Sequence, residues 1–180
     1  MFSSEEDCTA IAVDAIDRAE TQILVIAYGL TTTSGIVEAL VRAKQRGVEV
    51  RLIADRTTPC GRNSGIDRLA RAGIPIWIDH SARIAHSKSM VIDGEVTLTG
   101  SMNWTGGAAY NSENLNPVAS ATIAAAYAGH WPLLFDAVGG WAQIDPLVFH
   151  GPPQALDKDV VVAAPASVHA DLDPVIPLRS

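Results

Sequence analysis

The chain has 180 residues, 48% of them hydrophobic and 18% charged, with a formal net charge of −7 and two cysteines. That length supports one domain with a substantial core, and the composition excludes a disordered or fibrous chain. No apolar run approaches the roughly 18 to 20 residues that span a bilayer, and two cysteines make no disulfide framework. Ser3-x-x-Glu6 predicts a capping box opening a helix with Ile11, Ala15, Ile16 and Ala19 on one face. Thr21 to Tyr28 reads as a short apolar strand. Ser34 caps a second helix, with Ile36, Val37, Leu40 and Val41 inward and Gly47 at its C-terminus. A strand from Val48 to Ala54 leads into a turn-rich loop from Asp55 to Gly65. A short helix, Ile66 to Ala72, and a strand, Ile74 to Ile78, precede a β-hairpin. Beyond a Gly106-Gly107 loop come a strand from Glu113 to Ala119 and a helix from Ser120 to Val138. This alternation predicts a single α/β domain, a mixed sheet flanked by helices on both faces. The domain is expected over residues 1–150, with 151–180 a tail that holds five of the ten prolines.

The hairpin carries the chemistry. Met90-Val91-Ile92 and Val96-Thr97-Leu98-Thr99 are strand-rich, and Asp93-Gly94 between them is a two-residue turn signal. Pairing Ile92 with Glu95 sets Lys88 opposite Thr99, His86 opposite Ser101 and Ile84 opposite Asn103. Side chains alternate along a strand and paired residues share a face. His86, Lys88, Ser101 and Asn103 are therefore expected on one face, far from the turn. Asp93 lies about seven residues, at 3.3 Å each, from His86 and reads as structural. An imidazole works as nucleophile or acid near neutral pH, an ammonium holds phosphate oxygens, and a carboxamide adds a neutral donor. A carboxylate such as Glu113 can accept the other imidazole proton and fix its tautomer.

Charge is unevenly placed. Residues 1–41 carry −6, residues 42–88 carry +6 and residues 89–180 carry −7. Arg56, Arg62 and Arg83 are the candidate substrate-binding cations, while Arg42, Lys44, Arg46, Arg68 and Arg71 read as solvated helix faces. Trp104, beside Asn103, either stacks on a base or fills the core or a subunit interface. Cys8 and Cys60 read as free thiols, and no Cys-x2-Cys or His-x3-His spacing offers a zinc site. His80 precedes the hairpin and is read as a surface residue. The first residues lack a secretory leader, so the chain as written reads as cytoplasmic; an upstream leader would make it periplasmic or secreted.

His86-x-Lys88-x4-Asp93 followed by Gly100-Ser101-x-Asn103 resembles the signature of the phospholipase D superfamily. The single copy and the downstream Asn111-Ser112-Glu113-Asn114 are most similar to its bacterial EDTA-resistant endonucleases. The similarity extends from Asp14 through His130-Trp131. It implies that His86 is the nucleophile or the acid, that Lys88 and Asn103 bind phosphate, that Ser101 supports the site and that Glu113 orients His86. It further implies a phosphohistidine intermediate, no metal or other cofactor, and a homodimer in which each chain supplies half of the catalytic histidines.

Three function classes follow: a metal-independent nuclease acting on DNA or RNA, a phospholipase D-type lipid hydrolase or transferase, and a catalytically silent nucleic-acid-binding dimer. No basic amphipathic anchor helix and no lipidation signal favours the lipid. Every recognised catalytic position is filled, which disfavours the silent dimer. The nuclease leads.

Overall fold

Short apolar runs between helical segments become the strands of one mixed sheet. The computed structural model describes residues 1–3, 7–79, 83–136 and 142–143. The strands are β1 (Gln22–Ala27), β2 (Glu49–Asp55), β3 (Ile76–Asp79), β4 (Lys88–Ile92), β5 (Val96–Gly100), β6 (Leu115–Ala119) and β7 (Ala142–Gln143). Their order is β6-β5-β4-β1-β2-β3-β7. β1, β2 and β3 run parallel, as helical crossovers require, whereas β4, β5 and β6 form an antiparallel meander joined to β1. Pro117 is tolerated because β6 is an edge strand.

Helices cover both faces. Helices α1 (Cys8–Arg18), α2 (Ile36–Gln45) and α3 (Ile66–Arg71) bury the larger core with Ile23, Val25, Leu52, Ile76, Met90, Ile92 and Leu98. On the opposite face, α4 (Ala121–Asp136) packs Ala124 and Trp131 against Leu24, Ile26, Ile53 and Val91. The alternation along β1 divides Ile23 and Val25 from Leu24 and Ile26, so both faces of the strand are apolar.

Two sequence expectations need correction. Helix α1 opens at Cys8, where Asp7 accepts a hydrogen bond from Ala10 N at 2.9 Å. Residues 4–6, including Glu6, lie outside the described residues, and Ser3 does not cap the helix. Its hydroxyl donates to Asn111 O at 2.6 Å and accepts from Glu113 N at 2.9 Å, so the amino-terminal residues dock on the 111–115 segment. His80 and the 151–180 tail also fall outside the described residues.

The second correction is the hairpin register. The Asp93-Gly94 turn forms, with positive φ at both residues and Glu95 N donating to Ile92 O at 3.0 Å. Glu95 then bulges, and Ile92 pairs with Val96, Met90 with Leu98 and Ser89 with Thr99. Burial decides this. The observed register sends Met90, Ile92, Val96 and Leu98 together to the larger core, whereas the two-residue loop would have turned Thr97 and Glu95 inward. The ladder ends at Gly100, so its register does not extend to Ser101 and Asn103.

The Asp93 carboxylate is fully occupied. It accepts from Glu20 N, Thr21 N, Thr21 Oγ1 and Gln22 N at 2.8–3.0 Å, tying the turn to the start of β1. Burial pushes this carboxyl up, but the hydrogen bonds outweigh it and hold it below its ordinary value. A depressed carboxyl contributes stability above its unfolded pKa of about 3.9, and that contribution is lost as pH falls through the folded value. Asp93→Asn should therefore lower unfolding free energy by about 1–3 kcal/mol at pH 7. Urea titrations should show the gap closing below about pH 4; a gap independent of pH would contradict the assignment.

Candidate active site

Strand β4 enters the sheet at Lys88, directly opposite Ala27 at the end of β1. Two residues outside the ladder then meet. The Tyr28 and His86 rings lie 4.5 Å apart between centroids, tilted by 50°. Lys88 is buried, and its Nζ donates to His86 O at 2.5 Å and lies 2.9 Å from His86 Nδ1. The ammonium also sits 4.8 Å from the centre of the Tyr28 ring. His86 itself is exposed. Burial pushes the Lys88 amine below its ordinary value, with the Glu113 charge partly offsetting that.

Lys88 decides the imidazole tautomer. A charged Lys88 donates to Nδ1, which leaves the neutral ring's proton on Nε2. Attack on phosphorus by Nε2 requires the other tautomer, with its proton on Nδ1 and an acceptor there, and proton donation requires the imidazolium.

The Gly-Ser-x-Asn segment has its own physical logic. A Cβ on Gly100 would stand 2.2 Å from Asn114 O, so only glycine lets the two backbones approach. That approach allows Ser101 Oγ to donate to Glu113 Oε2 at 2.5 Å and to accept from Asn114 N at 3.0 Å. Asn111 Nδ2 donates to the other Glu113 oxygen at 3.1 Å. Among the described residues no hydrogen bond joins Glu113 to His86. Asn103 arrives from the far side, beside Gly29, and among the described residues its buried amide oxygen has no partner. His86 and Asn103 thus flank the Tyr28-Gly29 step. A buried polar atom of this kind calls for a partner that the described residues do not supply.

Asp55 and Thr58 are positioning residues that sequence reading missed. Asp55, wholly buried at the end of β2, accepts from Ala85 N at 2.6 Å and from Thr57 N at 2.9 Å. Thr58 Oγ1 donates to Tyr28 O at 2.7 Å. One turn therefore holds both the residue before His86 and the ring beneath it. Burial pushes the Asp55 carboxyl up, but hydrogen bonds from Thr57 and Ala85, with the Arg56 charge, bring it below its ordinary value. The signal was present: Asp-x-Thr-Thr at a strand end is an Asx-turn pattern.

The candidate substrate-binding residues separate. Trp104 is fully buried and its Nε1 donates to Ile26 O at 3.1 Å, so it is a core residue and cannot stack on a base. Arg42, Arg46, Arg51, Arg68 and Arg71 pair with acids. Arg56, Arg62 and Arg83 are exposed, and among the described residues none is in an ion pair. Cys8 is buried, Cys60 is exposed, and both are free thiols. No group of three or more His, Cys, Asp or Glu among the described residues could hold a metal ion.

Comparison with known proteins bears on this geometry. The family described as cardiolipin synthase, PLD-like domain, matches residues 12–131. A phospholipase D of Rickettsia felis is 37% identical over 131 residues, covering 72% of this chain and 65% of the relative. A mitochondrial cardiolipin hydrolase of Chlamydomonas reinhardtii is 32% identical over 117 residues, covering 64% of this chain and 52% of the relative. The chain thus spans less than two thirds of the length of these relatives. Among solved structures, the phospholipase D family member Nuc from Salmonella typhimurium superposes with a TM-score of 0.73. Its identity is 32%, and the match covers 79% of this chain and 94% of that one.

Trp104→Phe leaves the Ile26 carbonyl without its donor and should cost about 1–3 kcal/mol in urea unfolding. Affinity for a single-stranded oligonucleotide should stay within about twofold, since stacking on a base would be worth far more. Weakened binding at unchanged stability would return Trp104 to the substrate surface.

Proposed function

We propose that this chain, which belongs to the phospholipase D superfamily, is a metal-independent phosphodiesterase that cleaves nucleic-acid strands through a phosphohistidine at a homodimer interface. The observation that carries this reading is the His86–Lys88 pair: an exposed imidazole 2.9 Å from a buried amine, with Asn103 across the Tyr28-Gly29 step. One chain supplies one such unit, and the chemistry needs two imidazoles in opposite protonation states.

His86 Nε2 of one chain attacks phosphorus, forming the P–N bond as the P–O bond to the leaving alkoxide breaks. The partner subunit's His86 gives that alkoxide its proton. Water then attacks phosphorus, passing a proton to the partner subunit's His86 as the P–N bond breaks and His86 is freed. Splitting one displacement into two lowers each barrier, and Lys88 and Asn103 from both chains offset the developing charge. The attacking ring needs an acceptor at Nδ1. Glu113 keeps lone pairs beyond those used by Ser101 and Asn111 and is the carboxylate assigned to it.

Exposed apolar side chains support a second copy over the site. Tyr110, 91% exposed, lies three residues before Glu113, and Phe2, 56% exposed, is bridged to Asn114. Ile84, 45% exposed, lies two residues before His86. Such side chains, grouped on segments around one site, favour burial against a partner. Arg56, Arg62 and Arg83, exposed and in no ion pair among the described residues, support a polyanionic strand as substrate. The names of the Rickettsia and Chlamydomonas relatives favour a second reading, a lipid phosphodiesterase.

Incubation with single-stranded DNA, duplex DNA, RNA and phosphatidylcholine in excess EDTA separates these readings. Nucleic acid should be cut and lipid spared; cleavage of lipid alone, or abolition by chelator, would sink the proposal. His86→Asn should lower kcat by at least about a thousandfold while sedimentation still reports a dimer. A fully active monomer would exclude the shared site. Removing Arg56, Arg62 or Arg83 should weaken binding across sequences and reduce the salt slope by about one each; an unchanged slope would make that arginine a bystander.

A further inference from the structure

The α4 face of the sheet holds a groove that this mechanism does not use. Its floor is one cross-strand row: Ile26 pairs with Ser89 and Ser89 with Thr99. All three point toward α4, because Ile26 and Val91 belong to the core beneath that helix while Met90 and Leu98 belong to the opposite one. Ala126, Tyr127 and His130 of α4 form the wall, and His86, Ser87 and Lys88 edge the mouth. The cavity measures about 460 Å³, within the roughly 300–1,000 Å³ typical of small-molecule sites. Tyr127 and His130 are both exposed and lie three residues apart, on one side of the helix. Among the described residues, neither the Ser89 nor the Thr99 hydroxyl has a hydrogen-bond partner.

We propose that this groove binds the nucleoside adjoining the scissile phosphate, with Tyr127 and His130 on one side and the Ser89 and Thr99 hydroxyls beneath. The proposal rests on the nucleic-acid reading above. A nucleoside combines what the lining asks for: a flat ring to lie against Tyr127 and His130, and sugar or base heteroatoms to meet open hydroxyls. An acyl chain along the same row would dehydrate the Ser89 and Thr99 hydroxyls with nothing to replace the lost hydrogen bonds. Continuity with His86 makes the assignment positional as well as chemical. A phosphate held at Lys88 carries its neighbouring sugar to the groove's mouth.

The test uses the full chain with thymidine 5′-monophosphate and inorganic phosphate as separate probes, titrated by calorimetry. The wild type should bind the nucleotide about tenfold more tightly than phosphate, the advantage one stacked base confers. Tyr127→Ala and His130→Ala should each lose most of that advantage, and Tyr127→Phe, which keeps the ring, should retain it. On a single-stranded oligonucleotide the two alanine variants should raise KM by a similar factor with kcat within about threefold. Both residues are exposed, so the variants should fold. Equal binding of nucleotide and phosphate by the wild type, or variants that bind like it, would overturn the proposal. So would a loss at His130→Ala confined to kcat, which would make His130 a proton donor. A nucleotide preference lost in Tyr127→Ala, with no cleavage of nucleic acid by the wild type, would uphold the groove and overturn the nuclease reading.

Discussion

Everything at the site depends on one antiparallel ladder, in which Lys88 lies opposite Ala27. The pairing ends β1 and starts β4 at the same level, so the next residue of one strand and the preceding residues of the other leave the sheet together. Tyr28 and His86 meet because of that level. A shift of one residue would send Lys88 to the α4 face and remove it from His86 Nδ1. The ladder is fixed in turn by apolar residues on both faces, Ile23 and Val25 on one and Leu24 and Ile26 on the other. Burial across the sheet therefore sets the chemistry at its edge.

The remaining groups are fitted to that edge by backbone contacts. Asp55 holds Ala85, Thr58 holds Tyr28, Trp104 N donates to Gly29 O, and Gly100 admits Asn114. The first two bonds come from one turn and the other contacts from separate segments, so the backbone around His86 is held from several directions, which is how a rigid scaffold presents a loop residue. The charge pattern follows the same division. Arginines on helices α2 and α3 pair with acids, while among the described residues the loop residues Arg56, Arg62 and Arg83 are in no ion pair. A net charge of −7 thus coexists with a few exposed, uncommitted arginines.

Much of this was legible in the sequence. The α/β class, the order of the first six strands and the inward faces of the helices followed from apolar periodicity and turn residues. The hairpin register did not, because the Asp93-Gly94 turn rule was given precedence over the alternation of Val96 and Leu98 with Thr97 and Thr99. The side chains already pointed to the bulge at Glu95. Trp104 was ambiguous because an indole beside a polar motif suits a core and a cleft equally well; only the Ile26 carbonyl resolves it. Asp55 went unread because its partner, Ala85 N, is a backbone group thirty residues away that no side-chain pattern announces. The groove under α4 was equally invisible, since it joins Ile26, Ser89 and Thr99 from three strands to Tyr127 and His130 from a helix.

The central claim is covalent catalysis by His86 at a site two chains complete. Its most direct measurement is mass spectrometry of protein quenched in alkali during steady-state cleavage of an oligonucleotide in EDTA. A phosphoramidate is stable in base and labile in acid, so the peptide containing His86 should carry a nucleotidyl adduct that acid releases. Turnover with no adduct, or an adduct on any other residue, would contradict the account.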